Sequence, residues 1–185
     1  MSPEIASAEL VGDRAIVWNP DHGMTLYAEG YFGQPVGIRK PKSNEFDKPL
    51  ELSLIECAYL TETGRLQVKD STESKVLSLR EIIILGSKQS EEFLDKYMVY
   101  TQLRQRGYII RPGLKFGTDF AVYEHGPGKD HAPFLIHVIP QRKGVVPLDI
   151  VRAGRLATSV RKKFIIATVK ENGEIAYYSF VWHRP

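Results

Sequence analysis

Residues 116–138 read FGTDFAVYEHGPGKDHAPFLIHV. An apolar run ends at Tyr123, a polar segment rich in Gly and Pro follows, and His131 opens a second apolar run. Short β-branched and aromatic runs separated by Gly and Pro read as strand, loop, strand. The pattern therefore predicts a phenol at the end of one strand and an imidazole at the head of the next, eight residues apart across the loop.

Outward from this stretch the second half continues the alternation. YIIRP before it reads as a strand. SKQSEEFLDKYMVYTQLRQRGY reads as a helix, with Phe93, Leu94, Tyr97, Met98 and Leu103 on one stripe, Ser90 as N-cap and Gly107 as terminator. PLDIVRAGRLATSV reads as a helix with Pro147 near its start. KKFIIATVK and EIAYYSFVW read as strands joined by the hairpin turn Glu171-Asn172-Gly173.

In the first half, AELVGDRAIVW and MTLYAEGYFG read as β-rich segments around a turn-like NPDHG. Residues 33–49 are polar, hold three Pro and two Gly, and predict a long loop. LELSLIECAYLTETG places Leu52, Ile55, Tyr59 and Leu60 near helical spacing and stops at Gly64. RLQV is a strand, and SLREIIILGS a helix begun by Ser78 and closed by Gly86. The expected fold is α/β of the α+β kind. A small mixed N-terminal domain (1–89, with the loop at 33–49) precedes a C-terminal domain (90–185) with a mixed sheet flanked by helices.

Composition narrows the function classes. With 43% hydrophobic and 25% charged residues, the 185-residue chain lies in the ordinary globular range. It has no run near the ~18 apolar residues of a membrane span. The start, MSPEIASAEL, lacks a secretory pattern, so the cytoplasm is the expected location. A single cysteine, Cys57, excludes internal disulfides and multi-cysteine metal sites. Residues 1–90 carry 10 Lys/Arg and 13 Asp/Glu, whereas residues 91–185 carry 15 and 9. A basic second half suits an anionic partner, nucleic acid being the commonest, or simply a soluble face.

A third side chain joins the phenol and the imidazole. Lys162 lies in SVRKKF, where a helix gives way to a strand. Tyr, His and Lys together suit attack of an RNA 2′-hydroxyl on its own adjacent phosphate. That reaction needs a base, an acid for the 5′-oxygen and positive charge for the phosphorane, with no metal and no cofactor. His131 titrates near neutrality and suits the acid, whereas a phenol with a reference pKa of about 10 needs a neighbouring cation such as Lys162 to act as base. Each residue also has a structural reading. Tyr123 is one of nine tyrosines, His125 and His137 are rivals to His131, and VRKK complements a helix C-terminus.

Together these segments resemble a known family. GYIIRPGLKFGTDFAVYEHGPG, HAPFLIHV, GRLATSVRKKFIIATV and EIAYYSFVW, with LELSLIECAYLTETGRLQV in the first half, are similar to tRNA-splicing endonucleases, most of all to archaeal catalytic subunits. The resemblance implies a restriction-nuclease-like C-terminal domain. It also implies cleavage of precursor tRNA at bulge-helix-bulge exon–intron junctions, leaving 2′,3′-cyclic phosphate and 5′-hydroxyl ends without metal. Tyr123 would be the general base, His131 the general acid and Lys162 the transition-state stabiliser. Arg155, with Trp182 or else Arg184, would clamp a bulge base. Lys40 and Lys42 in the 33–49 loop would reach the RNA near the cut. The assembly would be a heterotetramer with a second, structural subunit, or a homo-oligomer, joined through EIAYYSFVW and the acidic turn KENGE.

Two rival readings remain. One is a non-catalytic RNA-binding subunit of such an assembly, against which the intact Tyr, His and Lys argue. The other is a metal-dependent nuclease using Asp119 and Glu124, against which the carboxylate spacing argues.

Overall fold

In the computed structural model, which describes residues 5–39, 41, 43–73, 75–129 and 132–180, the chain divides into two units, Met1–Tyr97 and Met98–Pro185. The division falls inside a helix, Phe93–Gln105. Phe93 and Tyr97 are buried in the part of the helix that belongs to the first unit, and Tyr100 and Leu103 in the part that belongs to the second.

The first unit is a mixed sheet of six strands: β1 (Ala6–Val11), β2 (Arg14–Val17), β3 (Gln34–Pro35), β4 (Leu50–Ser53), β5 (Leu66–Asp70) and β6 (Lys75–Val76), in the order β3-β4-β2-β1-β5-β6. Alternation decides its faces. Ala6, Ala8, Ala15, Val17, Leu50, Leu52, Leu66 and Val68 are buried, while Gln67 and Lys69 are exposed. Its helices are α1 (Pro20–Gly30), α2 (Leu54–Glu62) and α3 (Leu79–Gln89).

Helix α1 corrects the strand expected over MTLYAEG. Asn19 caps it by accepting from the Asp21 and His22 N–H groups at 2.9 and 3.4 Å, Pro20 opens it, and Asp21 faces its positive end. This cap outweighs the β-leaning composition of the segment. Helix α3 corrects a second expectation, since it runs through Gly86 to Gln89. A Cβ at Gly86 would stand 2.3 Å from the Phe93 ring, so the glycine marks close packing rather than a helix end. The apolar stripe of α2 is also shifted: Leu54, Cys57, Ala58 and Leu60 are buried, and Leu52 belongs to β4.

Both α2 and α3 open with capping boxes, Ser53 with Glu56 and Ser78 with Glu81. Buried Glu56 does more, accepting from the Gly33 N–H at 2.8 Å while holding the Ser53 N–H at 2.9 Å. Its carboxylate thus ties the start of the 33–49 segment to α2. That segment is anchored at both ends. β3 pairs with β4, the Val36 N–H donates to the Pro49 carbonyl at 2.9 Å, and buried Phe46 meets Tyr27 edge-on at 5.5 Å.

The second unit begins within α4 (Phe93–Gln105). Then come β7 (Ile109–Pro112), a 3-10 turn (Leu114–Phe116), β8 (Phe120–Tyr123), β9 (Phe134–Val138), α5 (Pro147–Ser159), β10 (Lys163–Val169) and β11 (Ile175–Ser179). The sheet order is β11-β10-β9-β8-β7, antiparallel except for β9 with β10. A parallel pair needs a crossover, and α5 supplies it. FGTDFAVY is not one strand, because the chain turns at Gly117 and β8 starts at Phe120. Helix α4 covers one face, where the Tyr100 and Phe120 rings lie 5.9 Å apart and the Tyr177 hydroxyl donates to Gln102 at 2.8 Å. Leu94 of the expected stripe is 48% exposed, and Val99 and Tyr100 are buried in that helix instead. The other face carries a core of Ala121, Ala132, Leu135, Phe164 and Ile166, packed by Ile150 and Val160. Among the described residues no helix is long and apolar enough to cross a membrane.

Candidate active site

Register brings Tyr123 and Lys162 to one place. β8 pairs with β9 as Val122 with Phe134, and β9 pairs with β10 as Phe134 with Lys163. Continued by one residue, both ladders set Tyr123 and Lys162 level with Pro133, on the two sides of β9. Residues opposite each other in a sheet share a face, and this is the face of Ala121, Leu135 and Phe164. Two strand spacings put about 10 Å between the two backbones. Half-buried Tyr123 packs on that same core.

Lys162 is fixed from three directions. Its ammonium donates to the Ala132 carbonyl at 2.6 Å and lies 5.6 Å from the centroid of the Phe116 ring. The residue before it, Arg161, holds φ at 54°, the left-handed region that a branched or long side chain seldom enters. With the Arg161 N–H bonded to the Thr158 carbonyl at 3.1 Å, this bend ends α5 and starts β10. Phe116 carries a second ammonium, Lys115, at 4.6 Å from its centroid. Each such contact contributes roughly 0.5–1 kcal/mol.

The remaining expected residues fall in different places. Arg155 is exposed on α5. His131, Lys40, Lys42, Trp182 and Arg184 lie outside the described residues. Ala132, which follows His131 in the chain, is the residue whose carbonyl receives Lys162. Of the rival histidines, His125 is exposed in the loop after Tyr123. His137 stands opposite Asp119, the residue before β8 and four before Tyr123, which puts it about 13 Å from Tyr123 along the strand direction. Its Nδ1–H donates to Asp119 Oδ2 at 2.8 Å, and the same oxygen accepts from the Val138 N–H at 2.8 Å. Asp119, one of the two carboxylates considered for a metal, thus ties β8 to β9.

Three contributors were not named from sequence: Phe116, the Ala132 carbonyl and the left-handed Arg161. Phe116 lies inside the quoted stretch, and an aromatic flanked by Lys115 was the available signal. A backbone carbonyl and a dihedral angle leave no mark on residue identity.

Tyr123 and Lys162 thus stand at matched strand ends on one sheet face of the more basic half of the chain. Sequence models of the tRNA intron endonuclease N-terminal domain and catalytic C-terminal domain match residues 6–96 and 93–177. A tRNA-splicing endonuclease of Hyperthermus butylicus is 47% identical over 183 residues, covering 96% of this chain and 98% of that protein. Those of Sulfurisphaera tokodaii and Saccharolobus islandicus are 39% identical over 176 residues (94% and 97% covered) and 37% over 180 (96% and 98%). The chain belongs to the tRNA intron endonuclease family.

Proposed function

We propose that the chain cuts precursor tRNA at bulge-helix-bulge exon–intron junctions by metal-independent transesterification. The 2′-oxygen of the nucleotide before the cut bonds to phosphorus, the bond to the 5′-oxygen breaks, and 2′,3′-cyclic phosphate and 5′-hydroxyl ends result. Tyr123 takes the 2′-OH proton, His131 gives a proton to the leaving 5′-oxygen, and Lys162 faces the charge of the phosphorane. The observation that carries this reading is the shared register of Tyr123 and Lys162 around β9, with Lys162 held by the Ala132 carbonyl. Full-length similarity to tRNA-splicing endonucleases supports it.

Splayed bulge bases can be stacked, whereas a regular A-form helix hides its base edges. Arg155, with Trp182 or Arg184, holds such a base, and Lys40 and Lys42 reach the RNA from the anchored 33–49 segment. The catalytic domain spans 90–185 and the N-terminal domain 1–89. The working assembly pairs this chain with a second, structural subunit in a heterotetramer, a homo-oligomer being the other arrangement. Edge strand β11, with Tyr178 53% exposed, supports pairing across a subunit boundary. The test is cleavage of a bulge-helix-bulge RNA in EDTA with the product ends identified. Cyclic phosphate ends support the proposal, and 3′-hydroxyl ends or a strict need for a divalent ion overturn it.

A further inference from the structure

We propose that Lys115 is a second phosphate-binding cation of the cleavage site, contacting an RNA phosphate that neighbours the one being cut. The inference rests on the function proposed above and extends its substrate contacts by one residue.

The turn that presents Lys115 is closely built. The Phe116 N–H donates to the Gly113 carbonyl at 2.8 Å, the Gly117 N–H to the Leu114 carbonyl at 3.0 Å, and the Gly113 N–H to the Asp119 carbonyl at 2.9 Å. Thr118 is buried, its hydroxyl donating to the Gly113 carbonyl at 3.3 Å. A Cβ at Gly113 would stand 2.4 Å from that hydroxyl, so the turn has no slack at its base. From this base Phe116 turns inward against the core that also packs Tyr123. Lys115 stays exposed.

One ring therefore orients two ammonium groups. Lys115 lies 4.6 Å and Lys162 5.6 Å from the Phe116 centroid, so the two charges are within about 10 Å of each other. Among the described residues no carboxylate pairs with Lys115. A flexible lysine held on a ring keeps its charge in one place at low ordering cost when an anion arrives. A polyanionic strand with one phosphate at Lys162 has its neighbouring phosphates within reach of such a second cation. A single small anion would meet only one of the two. The chemistry thus favours a nucleic-acid strand over free phosphate.

The experiment measures affinity for a bulge-helix-bulge RNA from about 50 to 400 mM salt in EDTA. It uses the assembled enzyme with wild type, Lys115→Gln, Lys115→Arg and, as a charge-matched control, Lys88→Gln on α3. Lys115→Gln is expected to bind roughly five- to tenfold more weakly near 0.1 M salt and to lower the slope of log affinity against log salt by about 0.7–0.9. Lys115→Arg should restore most of both, and Lys88→Gln should leave the slope unchanged. An unaltered slope in Lys115→Gln, or an equal change in Lys88→Gln, overturns the proposal. So does a variant that alters inhibition by inorganic phosphate while RNA binding keeps its wild-type slope. Wild-type cleavage in EDTA reads out separately: if it is absent, the functional reading fails, and if present with an unchanged slope, only Lys115 is misassigned.

Discussion

The two units use the same parts, a mixed sheet with helices against it, but their polar side chains do different work. In the first, Glu56 closes the backbone of α2 and of the Gly33 turn at once, and Glu81 does the same for α3 while meeting Lys75. In the second, Lys162 and Tyr123 stand at matched strand ends of one sheet face, held by a carbonyl and a core, and Lys115 shares the Phe116 ring with Lys162. Mutations should therefore separate. Those in the first unit should change stability and leave the chemical step alone, and those at the sheet end should do the reverse.

The largest effects test the second half of that contrast. Tyr123→Phe and His131→Ala should each slow single-turnover cleavage by about 10²–10⁴-fold, the usual share of a general base or acid. RNA affinity and melting temperature should stay near wild type. Losses under tenfold in both would remove the contrast. Next comes Glu56→Ala, which strands the Gly33 N–H and opens a capping box. About 2–3 kcal/mol should be lost, read as a lower urea midpoint, with the cleavage rate at saturating RNA unchanged. A slower chemical step in that variant would mean the units do not separate.

Arg155→Ala should remove one stacking partner, about 1–3 kcal/mol of substrate binding. The loss should appear in KM and spare the melting temperature. Cys57 is fully buried, and burial pushes its thiol far above the ordinary range. A thiol reagent at pH 8 should label it only as fast as the first unit opens.

The smallest effect is one of pH. The hydrogen bond from Lys75, then those from Ser78, holds the Glu81 carboxyl down at about 2. A depressed carboxyl stabilises the fold above its unfolded value of about 4.5 and loses that support as pH falls toward 2. Glu81→Gln should therefore flatten the acid limb of the stability curve slightly between those values. Because the pair is exposed, the change will be small.

Much of this was readable in advance where local signals agreed. Ser78 at the head of α3, Pro147 at the head of α5 and the Glu171-Asn172-Gly173 turn marked their elements, and Tyr123 and Lys162 stood at strand ends. The reading failed where one residue served a distant neighbour. Gly86 looked like a helix stop because the Phe93 ring it admits lies beyond the helix. MTLYAEG looked like a strand because composition was weighed over the Asn19-Pro20 cap. The hold on Lys162 could not be read at all, since a carbonyl at Ala132 and a left-handed Arg161 are backbone features that residue identity does not carry.

The central claim is that the nucleophile comes from the substrate and is activated at Tyr123. A single 2′-deoxy substitution at the nucleotide before the cut tests it most directly, measured with the assembled enzyme in EDTA. The account predicts that this RNA binds as tightly as its all-ribose counterpart and is not cleaved at that site. Cleavage of the deoxy RNA there at a comparable rate would contradict it, because the attacking oxygen would then have to come from water.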